Sequence, residues 1–280
     1  MSILITGGTG QLGTELSKLL EERNIEHVAL GSNDLDIVDK KLVDGYIEKL
    51  KPEVIYHCAA YTAVDAAEDD GKELNHQVNT IGTENIAVAA EKIGAILVYV
   101  STDYVFDGSN VEEYKEDDST NPKNEYGKAK LASELYIQEN VSKYYIVRTS
   151  WVFGQYGKNF VYTMLGLAET HKKLTVVSDQ YGRPTWTRTL AEFMTHLIST
   201  KCNYGIYHLS NDDSCSWYEF AEEILKDKTL EIVPVTSNEY PQKAYRPKHS
   251  IMSLDKAKAT GFEIVPWQEA LEQFLLAESK

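Results

Sequence analysis

Apolar and polar positions along the chain follow two rhythms, and the switch between them recurs. Ile3, Leu4 and Ile5 form a short β-branched and leucine run that reads as a buried strand. Gly7, Gly10 and Gly13 follow, and then Leu12, Leu16, Leu19 and Leu20 repeat at helical spacing. The pattern predicts further strands over residues 27–30, 54–58, 96–100 and 144–148. Between them, Leu42, Tyr46, Ile47 and Leu50 mark one helix, ending before Pro52, and Ile86, Ala89, Ala90 and Ile93 mark another. Strands alternating with helices predict an α/β chain built on a doubly wound parallel sheet.

In the last third, a helix over 160–167 precedes one carrying Leu190, Phe193, Met194, Leu197 and Ile198 on a single face. Residues 204–209 return as a strand, and Ser216-Trp217-Tyr218-Glu219 is a capping box opening a helix with Phe220, Ile224 and Leu225. No low-complexity linker or repeat sets this third apart. The expectation is a nucleotide-binding domain over residues 1–150, with later segments interleaved, and a smaller α/β substrate-binding lobe over 151–280.

Bulk numbers narrow the partners. The 280 residues carry a net charge of −15, which repels nucleic acid and anionic membrane surfaces. No apolar run approaches the roughly 18 residues of a membrane helix, and Met1 leads straight into the first strand, leaving no room for a signal peptide. Cys58, Cys202 and Cys215 have neither metal-ligand nor disulfide spacing. A cytoplasmic, reduced protein is expected, with neither nucleic acid nor membrane as partner.

A glycine turn between a strand and a helix suits a dinucleotide. Its glycines permit a tight turn, close approach of backbone N–H groups to a pyrophosphate and close helix packing, while the helix N-terminus adds partial positive charge. The spacing here is G-x-x-G-x-x-G. The second strand ends in Gly31-Ser32-Asn33, small and neutral where an acid would repel a 2′-phosphate, which favours NADPH, with NADH the alternative. Asp36-Ile37 is a candidate for the adenine edge; a loop acid capping the next helix is the other reading. Ala59-Ala60-Tyr61 follows the third strand, where small residues leave room for a cofactor or simply pack. The strand at 96–100 runs into Ser101-Thr102-Asp103-Tyr104-Val105-Phe106, and Tyr126 and Lys130 stand at i and i+4 on one helix face. A phenol titrates near pH 10, and an ammonium beside it favours its acid/base use.

These stretches, with His57–Asp65, Arg148–Gly154 (Arg-Thr-Ser-Trp-Val-Phe-Gly), Asn159-Phe160-Val161 and Asp179–Thr185, resemble the extended short-chain dehydrogenase/reductases of Rossmann type. More narrowly they are similar to the dTDP-4-dehydrorhamnose reductase family. The resemblance implies Tyr126 as proton donor, Lys130 as its partner and Thr102 as the third catalytic residue. It places Gly7, Gly10, Gln11, Leu12 and Gly13 at the cofactor. Asp103, Tyr104, Trp151, Asn159, Arg183 and Arg246 are the candidate sugar-nucleotide contacts: an indole to stack, an amide that donates and accepts, and arginine forks for a diphosphate. Some such enzymes are dimers bridged by Mg²⁺ on carboxylates, and Glu15 stands at a matching place. Its acidic partners are not evident, and a first-turn glutamate favours the helix dipole alone, so no metal ligand is assigned and a structural Mg²⁺ stays the alternative. A monomer or a homodimer fits equally.

The implied activity is reduction of the C4 ketone of a dTDP-linked 4-dehydrorhamnose. A dehydratase of this superfamily commonly carries Thr-Asp-Glu, whereas this chain has Thr102-Asp103-Tyr104, leaving an epimerase or related reductase as the enzymatic alternative. A non-catalytic NADP-binding regulatory subunit is the other.

Overall fold

The computed structural model describes residues 2–278. Six parallel strands form the central sheet in the order β10-β5-β4-β3-β1-β2. They are β1 (Ile3–Thr6), β2 (Val28–Leu30), β3 (Val54–His57), β4 (Ile96–Thr102), β5 (Tyr144–Thr149) and β10 (Gly205–His208). The chain steps one way from β1 to β2 and the other way from β1 to β3, so the carboxyl ends of β1 and β3 flank a switch point, where open α/β sheets bind ligands.

Both faces are covered. On one, α1 (Gln11–Glu22) packs beside α7 (Thr187–Ser199), burying Leu16, Leu19, Leu190, Phe193, Met194 and Leu197. On the other, α2 (Lys40–Leu50), α4 (Thr83–Ile93) and α5 (Glu125–Asn140) cover Leu4, Ile55, Leu97 and Ile146. Thus α7 and β10, which lie beyond residue 150, belong to the sheet. Buried parallel strands need no polar face, which is why their sequences read as nearly continuous apolar runs.

The remaining elements form a third core around Phe153, Phe220, Trp267 and Phe274. It comprises α6 (Phe160–Ala168), α8 (Trp217–Ile224), α10 (Trp267–Glu278) and the parallel pair β7 (Lys173–Val177) with β12 (Glu231–Val235). Ser216 caps α8 in the full capping box expected. One element has no apolar signature: α3 (Lys72–His76) runs through a π-helical stretch, Gln77–Gly82, into α4. Its inner face is Asn75 and Asn79, both buried.

Candidate active site

The turn after β1 is built by three glycines with different duties. Gly7 has φ 67°, the left-handed region, and a Cβ there would lie 2.6 Å from the Ala59 backbone. A Cβ on Gly13 would lie 2.2 Å from the Gly7 carbonyl oxygen, so α1 packs on the turn only without a side chain. Gly10 is different: it is exposed, caps α1 without any side-chain hydrogen bond, and a Cβ would meet only Gly7 O at 3.2 Å. Its face is open, and the free N–H groups behind it fit a pyrophosphate.

Gly10, Gln11 and Leu12 line a cleft of about 580 Å³ together with Ala60, Thr62, Thr102, Asp103, Tyr104, Tyr126, Lys130 and Trp151. A wider hollow of about 1180 Å³ lies along Ser17, His27 and Glu53, remote from these groups, and it holds none of the candidate chemistry. Ala59 packs under the Gly7 turn. Tyr61 lies outside the cleft lining, its backbone clamped by Asn79, which accepts from Tyr61 N at 3.0 Å and donates to Tyr61 O at 2.8 Å. Asn79 also receives a hydrogen bond from Ser133 on α5. The π-helical turn therefore ties the cofactor-side loop to the helix that carries Tyr126.

Asp36 and Ile37 do not line the cleft either. Asp36 is exposed and accepts from Val38 N, and Ile37 is buried against the Gly82 backbone. The acid that caps α2 is Asp39, accepting from Lys41 N and Leu42 N. Asp34 turns back on its own loop, accepting from Gly31 N at 3.0 Å.

Across the cleft, Thr102 ends β4 opposite Thr149 of β5. Its hydroxyl donates to Asp103 Oδ1 at 3.1 Å and accepts from Tyr104 N. Tyr126 sits in the first turn of α5, which Asn124 caps, and its ring meets Tyr104 edge-on at 6.2 Å. Burial raises the Tyr126 phenol above its usual range, Asp103 and Tyr104 add to this, and the Thr102 hydroxyl offsets part of it. Lys130 is 2% exposed, with Nζ 4.1 Å over the Tyr99 ring, and burial pulls its ammonium down to about 7 against the attraction of Glu134. Lys130 is not among the groups that lower the Tyr126 phenol here: burial is the largest influence on both, raising the phenol and depressing the ammonium. Asp103 is raised to about 6, chiefly by burial, and its Oδ2 has no hydrogen-bond partner among the described residues.

Four of the candidate sugar-nucleotide contacts have partners within the protein. Arg183 is buried, donating to Glu113 Oε1 at 2.6 Å and to Met252 O, as a buried guanidinium requires, while its Nε has no partner among the described residues. Asn159 caps α6, accepting from Tyr162 N, and its amide donates to Gln11 Oε1 at 3.0 Å and to Gly154 O at 2.8 Å. It positions Gln11 rather than a ligand. Trp151 does line the cleft, in the left-handed region at φ 48°, but its stacking face is covered by Trp217 at 3.7 Å. Arg246 is held by Asp65 at 2.6 Å, by the Tyr104 hydroxyl at 3.3 Å and by Gln242.

Tyr104 and Trp217 also line a second cavity of about 450 Å³, which Arg246 borders. Trp217 was read from sequence only as part of a helix cap. No periodicity flags it as cleft wall, because its role depends on α8 reaching across to Trp151. Asn79 was equally silent, and Asp65 stood only at the end of a matching stretch, since their partners are 18 and 181 residues away in sequence.

Glu15 is buried near Arg188, at 3.5 Å, and the same guanidinium reaches Glu22 at 2.6 Å and Glu192 at 2.9 Å. Within this chain the Arg188 guanidinium thus stands among the three carboxylates. Among the described residues no cluster of three His, Cys, Asp or Glu is arranged for a metal.

Residues 1–279 match the RmlD substrate binding domain family. The spore coat polysaccharide biosynthesis protein SpsK of Bacillus subtilis is 42% identical, covering 99% of this chain and 98% of its own. A dTDP-4-dehydrorhamnose reductase of Aggregatibacter actinomycetemcomitans is 41% identical, covering 96% and 97%. A crystal structure of dTDP-4-dehydrorhamnose reductase from Bacillus anthracis in complex with NADP superposes with a TM-score of 0.95 at 41% identity, covering 99% of both chains.

Proposed function

From the premise that this chain belongs to the RmlD substrate binding domain family, we propose that it is an NADPH-dependent reductase that converts the C4 ketone of dTDP-4-dehydro-β-L-rhamnose to the alcohol of dTDP-L-rhamnose. Relatives named for that activity, and a 41% identical structure holding NADP, support the reading. The observation that carries it is the meeting in one cleft of the open helix N-terminus at Gly10 and the Thr102–Tyr126–Lys130 group, beside a second cavity that Arg246 lines.

NADPH, when bound, supplies the hydride that reduces C4. Gly10, Gln11 and Leu12 would hold its pyrophosphate, with Ala60 and Thr62 along the third strand's tip. The chain's own residues manage the oxygen. A phenol kept protonated by burial is the right state for a donor, so Tyr126 delivers its proton to the alkoxide as negative charge develops. Thr102 orients that oxygen. Lys130, charged below about pH 7 in the open cleft, attracts the anionic cofactor and stabilises the phenolate left after proton transfer.

The assay is NADPH oxidation with the dTDP-linked 4-keto sugar. Turnover with reduction at C4 is the expected result. NADP affinity without oxidation would instead identify a binding subunit, and NADPH-independent isomerisation of a sugar nucleotide would identify an epimerase. The expected substrate lobe spans residues 151–280 apart from α7 and β10, and no helix among the described residues is long and apolar enough to cross a membrane.

A further inference from the structure

The 450 Å³ cavity beyond Tyr104 is within the size range of small-ligand sites. Apolar side chains from α6 and β7, among them Met164, Leu167 and Val176, make its walls. It shares Tyr104 and Trp217 with the catalytic cleft, and Arg246 stands at the junction. A sugar nucleotide has this order of parts: sugar, diphosphate, nucleoside. With the sugar at Tyr126 and the diphosphate at Arg246, the base falls in the second cavity.

One polar group on that wall has its orientation fixed. Ser237 donates both its N–H, at 2.7 Å, and its hydroxyl, at 2.6 Å, to Asp179 Oδ1. Asp179 is paired in turn with Lys248 at 3.0 Å. A hydroxyl has one proton, and here a carboxylate takes it, so toward Gln180 the Ser237 oxygen can only accept. Gln180 must therefore present its Nε2 to Ser237, at 3.0 Å. Its Oε1 is the end left over: no bond to it is made among the described residues, although the residue is only 5% exposed and lines the cavity.

We propose that this cavity is a nucleobase subsite and that Gln180, locked by Ser237, Asp179 and Lys248, reads a ring N3–H through its Oε1, selecting thymine and uracil over cytosine. The proposal rests on the sugar-nucleotide reading above. Cytosine carries an acceptor at N3, so two lone pairs would face each other and the Gln180 oxygen, covered by the base, would stay unpaired.

The test is calorimetric binding of dTDP, dUDP and dCDP to the full chain saturated with NADP⁺. dTDP should bind at least about tenfold more tightly than dCDP, and dUDP should fall within about fivefold of dTDP, since it lacks one methyl. Gln180→Leu should bring dTDP down to the dCDP level. Ser237→Ala frees the amide to rotate, so the dTDP/dCDP ratio should drop below about threefold by tighter dCDP binding, with NADP⁺ affinity unchanged. That second variant decides the matter if Gln180→Leu unfolds. Equal binding of dTDP and dCDP, or a ratio that survives both substitutions, overturns the assignment while leaving turnover of the keto sugar intact. Failure of dTDP to bind at all overturns the parent reading as well.

Discussion

Adding one methyl group at either of two glycines, Gly10 and Gly13, should separate fold from cofactor binding. At Gly13 the new Cβ would stand 2.2 Å from Gly7 O, 2.8 Å from Gly7 C and 2.9 Å from Gly8 Cα, all backbone atoms of a tight turn. Nothing there is a flexible side-chain end, so α1 must move off the sheet. Overpacking of this kind costs about 1–3 kcal/mol, and backbone on both sides puts Gly13→Ala at the upper end, about 3 kcal/mol. For a chain of this size each kcal/mol is worth about 2–4 °C, so Tm should fall by roughly 6–12 °C. At Gly10 the new Cβ would meet only Gly7 O at 3.2 Å, on an exposed face of a residue with φ −79°. Gly10→Ala should cost only what replacing an N-cap glycine costs, about 1 kcal/mol or less. It should nevertheless weaken NADP⁺ by about tenfold or more, because the methyl stands where the pyrophosphate meets the backbone and charge-assisted hydrogen bonds are worth about 1.5–3 kcal/mol. Differential scanning fluorimetry and titration calorimetry on the two variants check both halves. A fully stable Gly13→Ala protein, or wild-type NADP⁺ affinity in Gly10→Ala, would refute the division of labour.

Tyr126→Phe keeps the ring and removes the proton, so kcat should fall about 10²- to 10⁴-fold while NADP⁺ affinity stays within about twofold; a variant keeping half its kcat would move the acid elsewhere. Because burial depresses Lys130 to about 7, its charge is present below that pH and lost above it. kcat/KM for NADPH, which reports the free enzyme, should therefore decline as pH rises through about 7, and Lys130→Met should lower and flatten the profile. An unchanged profile in that variant would remove the role. Glu134 and Arg148 pair at 2.7 Å with almost no exposure, and removing one partner of such a pair costs about 3–5 kcal/mol. Glu134→Gln should lower Tm by at least about 6 °C, and a silent melt would count against the burial of the pair. Arg246→Ala should raise KM for the sugar nucleotide about ten- to a hundredfold and leave NADPH affinity unchanged, which paired saturation curves would show.

Much of the sheet domain was legible because its signals are local. The runs Ile3–Thr6 and Val54–His57 are buried on both faces, and leucines at helical spacing need only their own neighbours to declare α1. The Thr102–Tyr126–Lys130 group was legible for a different reason: Tyr126 and Lys130 are one helical turn apart, and Thr102 ends a strand. On α5 itself the buried face is polar, with Lys130, Ser133 and Glu134, so apolar periodicity says little and the tyrosine–lysine spacing carried the reading.

What the sequence determined was therefore where strands, turns and one-turn neighbours lie. The tertiary structure alone decided how polar side chains were spent. Arg183, Asn159 and Arg246 look alike in sequence as hydrogen-bonding residues free for a ligand. Folding gives Arg183 to Glu113, makes Asn159 a helix cap that steadies Gln11, and leaves only Arg246 at a cavity. It also lays Trp217 over Trp151 and brings Asn79 to the Tyr61 backbone. The physical reason is that a buried donor or charge must find a partner, and that partner is set by which elements pack together. Spacing along the chain records the periodicity of each element but not its neighbours, so the competition for hydrogen bonds is resolved only when the elements pack on each other.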